Sequence, residues 1–577
     1  MLHLNGKSIF TLSLAFIFMC FEFLFSSYML PNEKPIILSV VGANFLLYLF
    51  FFIKSEIKST NKTFYTVLYF FLSAVACSVF VKYIWFSNHL CLDPFHKLFN
   101  GDFNADTLSH SAITESIISN GYPSLLFETK DIFYYHFGSH YLMAAISKLL
   151  NIHAFSAYNY IFPPIFIPLF FLLLFTSIEK VANRKISFIE VLFIVTMGFI
   201  GFIPKSFESN LGFWMGSFFA SESFCIGLTL LFLFIILIDK KNTLSVKNLI
   251  FTFIFIIVCA SMKISIGILL WCFFNWYAYR SKGIIKTIPY TLITTISLSI
   301  AFFLFNERIG SASAHQIMPL HFYKNYITID ALMYHLLLFT WPIVIPITFK
   351  FSDRKIITAI KAKNALLEES LIITTLISIL PGAILYIEGG SAFYFFAVLY
   401  PLFIIYFIAS NFFGKLIIQK KSLLLAIPFF AVIIGTVSLN TLSSISSIYK
   451  NLPSLKSGII SLENNALFVA IEEIRTKTKA NRKNTAIIIE KSSKLFEIYN
   501  GKDLRSLSYF LQSYTGLPVY GMYEQKDEDI FLITGDFIQP NIKPLYFGLD
   551  YNKVFSGKSI EEKMKIAGIS QIIYLSN

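Results

Sequence analysis

SNHLCLDPFHKLFNGDFNADTLSHSAITESIISNGYP (residues 87–123) and DIFYYHFGSHYLMAAISKLLNIH (131–153) form a polar island between long apolar runs. Residues 87–153 hold six of the ten histidines (His89, His96, His110, His136, His140 and His153), together with Asp93, Asp102, Asp106, Glu115, Glu128 and Asp131. Connections within a domain are mostly a few residues long. This one is far longer and richer in titratable groups than a turn requires, so it reads as the place where chemistry is done. What flanks it decides the fold.

The flanks are apolar on a scale that excludes a soluble core. The 577 residues are 56 % hydrophobic and only 14 % charged, with a mean hydropathy of +0.66, far from average soluble usage. Apolar runs recur at about the length of ~20 residues that a helix needs to cross a hydrocarbon slab. Only helices suit such runs, since lipid cannot satisfy backbone N–H and C=O groups. Thirteen candidate spans lie near 9–29, 36–53, 65–86, 154–177, 187–204, 217–238, 246–261, 264–279, 287–305, 331–349, 369–386, 391–410 and 422–440. The fold expected is mainly α: a polytopic transmembrane bundle over 1–440, with 87–153 as its large first extracytoplasmic loop, followed by a small α/β domain over 441–577.

The net charge of +13 does not point to nucleic acid, because Lys and Arg are dispersed between the apolar runs rather than gathered on one stripe. Their distribution fits membrane orientation instead. Three to five cations follow each even-numbered run, from Lys54, Lys58 and Lys62 to Lys415, Lys420 and Lys421; the short opposite connections carry none to two, such as Lys34, Lys205 and Lys263. This bias places the N-terminus in the cytoplasm, and puts 87–153, the loop at 306–330 and the tail after 441 outside. Lys263 sits in the very short turn of CASMKISIGILL. It reads either as a snorkelling lysine in a tight hairpin or as an intramembrane cation facing a polar cavity.

The six cysteines are scattered without C-x-x-C spacing, which argues against a disulfide framework or a zinc ribbon. After Asn440 the pattern changes. Residues 465–480 and 504–514 read as helices, and 485–490, 517–523 and 569–576 as short apolar strands.

Within the polar island, Asp106 and His110 stand one helical turn apart in ADTLSHSAITESIISNG, which the Asn120–Gly121 pair should stop. A carboxylate beside an imidazole can act as an acid/base pair or hold a cation; an ordinary i,i+4 surface pair is the plainer alternative. Asp102 lies four residues earlier and could divide the labour of base and cation ligand with Asp106. His136 and His140 repeat the spacing on a segment whose Phe133, Phe137, Tyr141 and Ala144 mark an apolar face, as in a helix lying in the membrane plane. Two histidines so placed can ligate zinc, but H-E-x-x-H is absent. Phosphate or sugar hydrogen bonding and plain interfacial packing are the other readings. Later loops add Arg308, His315 and Lys324, and Glu388 in YIEGGSAFYF; cations there suit a diphosphate.

Taken together, these features resemble the GT-C superfamily of polytopic glycosyltransferases: the acidic first loop with Asp102, Asp106 and His110, the N-G-Y-P run at 120–123, the YYHFGSHYLMAAI segment, about a dozen spans and an extracytoplasmic C-terminal domain. The resemblance implies transfer of a sugar from a polyprenyl-phosphate donor to a lipid, polysaccharide or protein acceptor. It implies Asp106, with Asp102 second, as base or metal ligand; in the reading built on it, Asp102 or His110 stands beside the base and His136, His140, Arg308, Lys324, His315 and Glu388 lie around the substrate. A divalent cation such as magnesium or manganese would be the cofactor; donor lipid and membrane lipids would be the partners. The acidic loop follows the third apolar run rather than the first, and no W-W-D-Y-G is present, so transfer to asparagine is not implied. A polysaccharide polymerase, ligase or exporter, or a non-catalytic transporter, would share the same outline.

Overall fold

The computed structural model describes residues 6–26, 29–54, 62–81, 105–123, 137–195, 221–238, 245–305, 315–317, 366–387, 394–395, 398–409, 442–446, 448–449, 466–489, 504–520, 545–546, 549–550, 559–566 and 568–575. The described chain is mainly helical. In order, α1 is Gly6–Leu24, α2 Lys34–Lys54, α3 Lys62–Val81, α4 Ala105–Asn120 and α5 Gly138–Leu150. Then come α6 (Ala154–Ala182), α7 (Phe188–Val195), α8 (Glu222–Leu237), α9 (Val246–Met262), α10 (Ile264–Lys282) and α11 (Ile284–Phe305). Helices α12 (Leu366–Ile384) and α13 (Leu399–Ala409) follow. The candidate spans at 331–349 and 422–440 lie outside the described residues.

Among the described residues four helices are long and apolar enough to cross a membrane: Lys7–Leu24, Lys34–Lys54, Ala154–Ala182 and Ile284–Leu304. Their packing has the inverted look that lipid imposes. Phe10 meets Phe171 and Phe175 edge-on inside the bundle, at 5.3 and 5.6 Å between ring centres, while Phe50, Ile53, Phe64, Leu292 and Ile285 face outward, Ile285 with 81 % of its surface exposed. Large apolar belts on an outer face are unusual for a soluble monomer. A lipid-facing surface would account for them.

Local chemistry sets the helix ends. Asn151 and Asn183 adopt left-handed φ values of 55° and 52° after α5 and α6, a conformation that asparagine tolerates and that closes helices. Gly121, at φ 86°, ends α4 where the sequence placed the stop. Inside α6, Pro168 has no N–H to return to the Pro164 carbonyl; the side-chain amide of Asn44 on α2 donates to that oxygen instead, at 3.0 Å.

Charged residues at helix ends pair in a regular way. Lys7 at the start of α1 bonds Glu179 near the end of α6 at 2.6 Å; Arg184 pairs with Glu190 and also donates to the Ile408 carbonyl at the end of α13; Arg280 near the end of α10 pairs with Glu369 at the start of α12. At the other ends of these helices, Glu33 before α2 meets His153 before α6, and Lys263 between α9 and α10 meets Tyr394.

Beyond the bundle, α14 (Ala466–Thr478) and α15 (Leu504–Thr515) accompany a three-stranded parallel sheet. Its central strand Thr485–Ile489, wholly buried, pairs with Val519–Tyr520 on one side and Gln571–Leu575 on the other. Parallel strands buried on both faces read as continuous apolar runs, as TAIII does. Helix α15 packs along α4, so this C-terminal region sits on the polar island itself. A separate antiparallel pair aligns His315 with Ile387 and Ile317 with Leu385, joining the backbone of the 306–330 loop to the chain just before Glu388.

Candidate functional site

Three helices that are distant in sequence bring His110, His140 and Glu222 together. His110 lies on α4, His140 on α5, and Glu222 opens α8. His110 Nδ1 and His140 Nε2 are 2.9 Å apart, with ring centres at 5.0 Å. Glu222 Oε1 stands 3.8 Å from His110 Nδ1 and accepts a hydrogen bond of 3.2 Å from Ser139 Oγ. All three residues are buried, His140 completely. One donor atom from each lies within 4.8 Å of the other two.

Burial of two imidazoles and a carboxylate against one another is costly unless they share protons or a cation. A proton between the two ring nitrogens satisfies one pair, with one ring as donor and the other as acceptor. A metal satisfies all three. Two ligands of a tetrahedral ion at ~2.1 Å are separated by ~3.4 Å, and the observed separations of 2.9 and 3.8 Å fall on either side of that. Two imidazoles and one carboxylate suit zinc or another first-row ion better than magnesium, which prefers oxygen. Of the two ions that the resemblance implied, manganese suits this donor set better than magnesium.

Close packing fixes this geometry. Gly138, two residues before His140, sits against the end of α9: a Cβ there would lie 2.3 Å from Ser261 Oγ. Two residues beyond Ser261, Lys263 breaks the chain between α9 and α10 in an extended conformation, φ −156° and ψ 121°. It does not snorkel. It is 4 % exposed, with Nζ 3.6 Å from the centre of the Tyr394 ring, and Tyr394 in turn packs on Phe224, two residues after Glu222. One turn along α4 from His110, Thr114 hydrogen-bonds Tyr158 at 3.0 Å. The centre is thus ringed by α4, α5, α6, α8 and the α9–α10 turn.

Of the residues read from the sequence, the structure joins His110 and His140. Asp106 belongs to the first turn of α4, one turn before His110; its side chain is outside the described residues, as are Asp102, His136, Arg308, Lys324 and Glu388 entirely. His315 is described only as backbone in the strand pair. His140 pairs across two helices with His110. The buried face of α5 carries Ser139, His140, Met143, Ala144 and Ser147, while Tyr141 is exposed. The polar side of α5 turns inward because its partners, His110 and Glu222, are polar too.

Sequence reasoning missed Glu222 and passed over Ser139. Glu222 sits in SESF at the mouth of an apolar run, and a carboxylate just inside a span was the available signal. No family model, no curated protein and no solved structure matches this chain.

Proposed function

We propose that this chain is an integral membrane glycosyltransferase of the GT-C kind, which moves a sugar from a polyprenyl-phosphate donor to a cell-envelope lipid, polysaccharide or protein. The observation that carries the reading is the convergence of His110, His140 and Glu222 beside the helix that bears Asp106. In this reading about thirteen spans cross the membrane, the N-terminus is cytoplasmic, and residues 441–577 form an extracytoplasmic α/β domain over the centre. The pairing of helix ends is consistent with that alternation of sides. Lys7, Glu179, Arg184, Arg280 and Glu369 belong to the N-terminus and to the Lys- and Arg-rich connections, and they pair among themselves; Glu33, His110, His153, Glu222 and Lys263 belong to the opposite ones.

Asp106 would take the proton of the acceptor hydroxyl as its oxygen attacks the anomeric carbon; the bond from that carbon to the phosphate oxygen breaks, and the lipid phosphate leaves with the electron pair. One base opposite a good leaving group makes inversion the simplest outcome. His110, His140 and Glu222 would hold a divalent cation, which supplies positive charge where the phosphate departs. Lys263 adds a fixed cation at the same level, steadied by Tyr394.

The test is analysis of cell-envelope glycans and lipid-linked sugars in cells carrying the wild-type chain, Asp106→Asn or His140→Ala at matched membrane levels. Loss of one sugar with accumulation of its lipid-linked donor is expected. An unchanged profile would remove the transferase reading and favour a polymerase or an exporter.

A further inference from the structure

Two carboxyls that the proposed chemistry does not use meet at the N-terminus of α6. Glu33 Oε1 accepts the His153 N–H at 2.6 Å and lies 3.5 Å from His153 Nε2; Glu115 Oε2 accepts the Ala154 N–H at 3.2 Å. They arrive from different elements, the connection before α2 and the middle of α4, and both are buried.

The C-terminal region closes over them. The Tyr514 ring on α15 stacks on His153 at 4.3 Å, and the Tyr514 hydroxyl donates to Glu472 of α14. Arg475 lies 3.5 Å from the other Glu472 oxygen. Arg482 reaches Ser119 at 3.4 Å and Glu115 at 3.6 Å. Gly516, at φ 74°, lets the end of α15 rest on Ser119, where a Cβ would stand 2.3 Å from the hydroxyl oxygen. A cleft of about 230 Å³ between these parts, lined by Leu30, Glu33, His153, Glu472, Arg475 and Tyr514, gives protons a route to Glu33. The Glu33 carboxyl is buried beside the Ser156 hydroxyl, and ionising it there leaves a charge that an opened joint hydrates better.

We propose that this joint is a proton-linked clasp: Glu33 and Glu115 close the C-terminal region onto α4 and α6 when protonated, and loosen it when they ionise.

Burial pushes the Glu33 carboxyl from 4.5 up to about 7, against the lowering effect of Ser156, the His153 N–H and Arg475, with Glu115 raising it further. Burial raises Glu115 to about 7 as well, against the Ala154 N–H, Arg482 and Arg475. A raised carboxyl binds its proton more tightly in the closed joint. Its contribution is therefore complete below pH 4.5 and is lost as pH rises through about 7. His153 works in the opposite sense: burial, then Arg475 and Arg482, hold its imidazole well below the ordinary value. At acid pH an open joint would let it take up a proton, which offsets one of the two carboxyls. Burial raises Tyr514 well above its ordinary value, so the phenol stays neutral throughout.

Hydrogen exchange of the α15 amides, measured on the full chain in lipid nanodiscs and corrected for the intrinsic pH dependence, reads the opening directly. Protection is expected to fall about twentyfold between pH 6 and pH 8, about tenfold from each carboxyl less about fourfold from His153. The Glu33→Gln/Glu115→Gln double variant should remain protected at both. Each single variant should reduce the change to about threefold, which keeps the test open if the double variant fails to fold. Arg482→Gln, which removes a cation that lowers Glu115, should move the midpoint to higher pH. Equal wild-type protection at both pH values overturns the clasp, as does a wild-type pH dependence surviving in the double variant.

Discussion

Asn44 shows how one side chain can decide whether a helix is tolerable in lipid. Its amide supplies the hydrogen bond that Pro168 cannot return to Pro164. Asn44→Leu should leave that carbonyl unanswered and cost about 1–3 kcal/mol, visible as a lower thermal midpoint in detergent; an unchanged midpoint would mean that another donor takes over. Glu222 carries the comparable test for the centre. Glu222→Gln should lower bound zinc per chain at least about tenfold after dialysis. Stoichiometric metal in that variant would take the carboxylate out of the ligand set. Glu222 carries a sequence signal, a carboxylate at the mouth of an apolar run, but Asn44 carries none: it is one amide in such a run, and its importance depends on a proline more than a hundred residues later. His110 was legible because it stood in a polar island, whereas its partners are chosen by tertiary packing.

Among elements, α5 is the most informative, because its two faces are both half-apolar. Periodicity correctly signals a helix over Gly138–Leu150. It does not show which face is buried, since a helix that packs on His110, Glu222 and Ser261 turns polar groups inward. Gly138→Ala tests that packing. The added methyl meets Ser261, and the overpacking should cost about 1–3 kcal/mol and shift His140 away from His110, so metal affinity should fall more than insertion into the membrane. Equal loss of both would show a folding defect instead. At the far end of the bundle, Glu369→Gln removes the partner of Arg280 and Trp276. Breaking a buried pair costs about 3–5 kcal/mol when desolvation is complete; with Arg280 partly exposed, a smaller drop in thermal midpoint is expected. The helix ends themselves were readable from Asn120–Gly121 and from the Lys- and Arg-rich connections. The one-residue turn at Lys263 was readable as a break, but not the burial of its side chain, which requires Tyr394 on another segment.

At the scale of the whole molecule, helix lengths are unequal in a way that matters for lipid. Helix α2 has 21 residues and α11 has 22, whereas α8 has 16 and α9 has 17. At 1.5 Å per residue the first two span about 32 Å and the latter two about 25 Å. Both short helices terminate at the candidate centre, α8 beginning with Glu222 and α9 ending beside Lys263. In the proposed topology, a floor common to all four helices would put that centre about 7 Å beneath the upper ends of α2 and α11. The surrounding bilayer would then have to thin there or let headgroups and water dip inward, a hydrophobic mismatch confined to one flank. Acyl-chain length then becomes a control on the protein: lipids with shorter tails should favour access to the centre, and thicker bilayers should seal it.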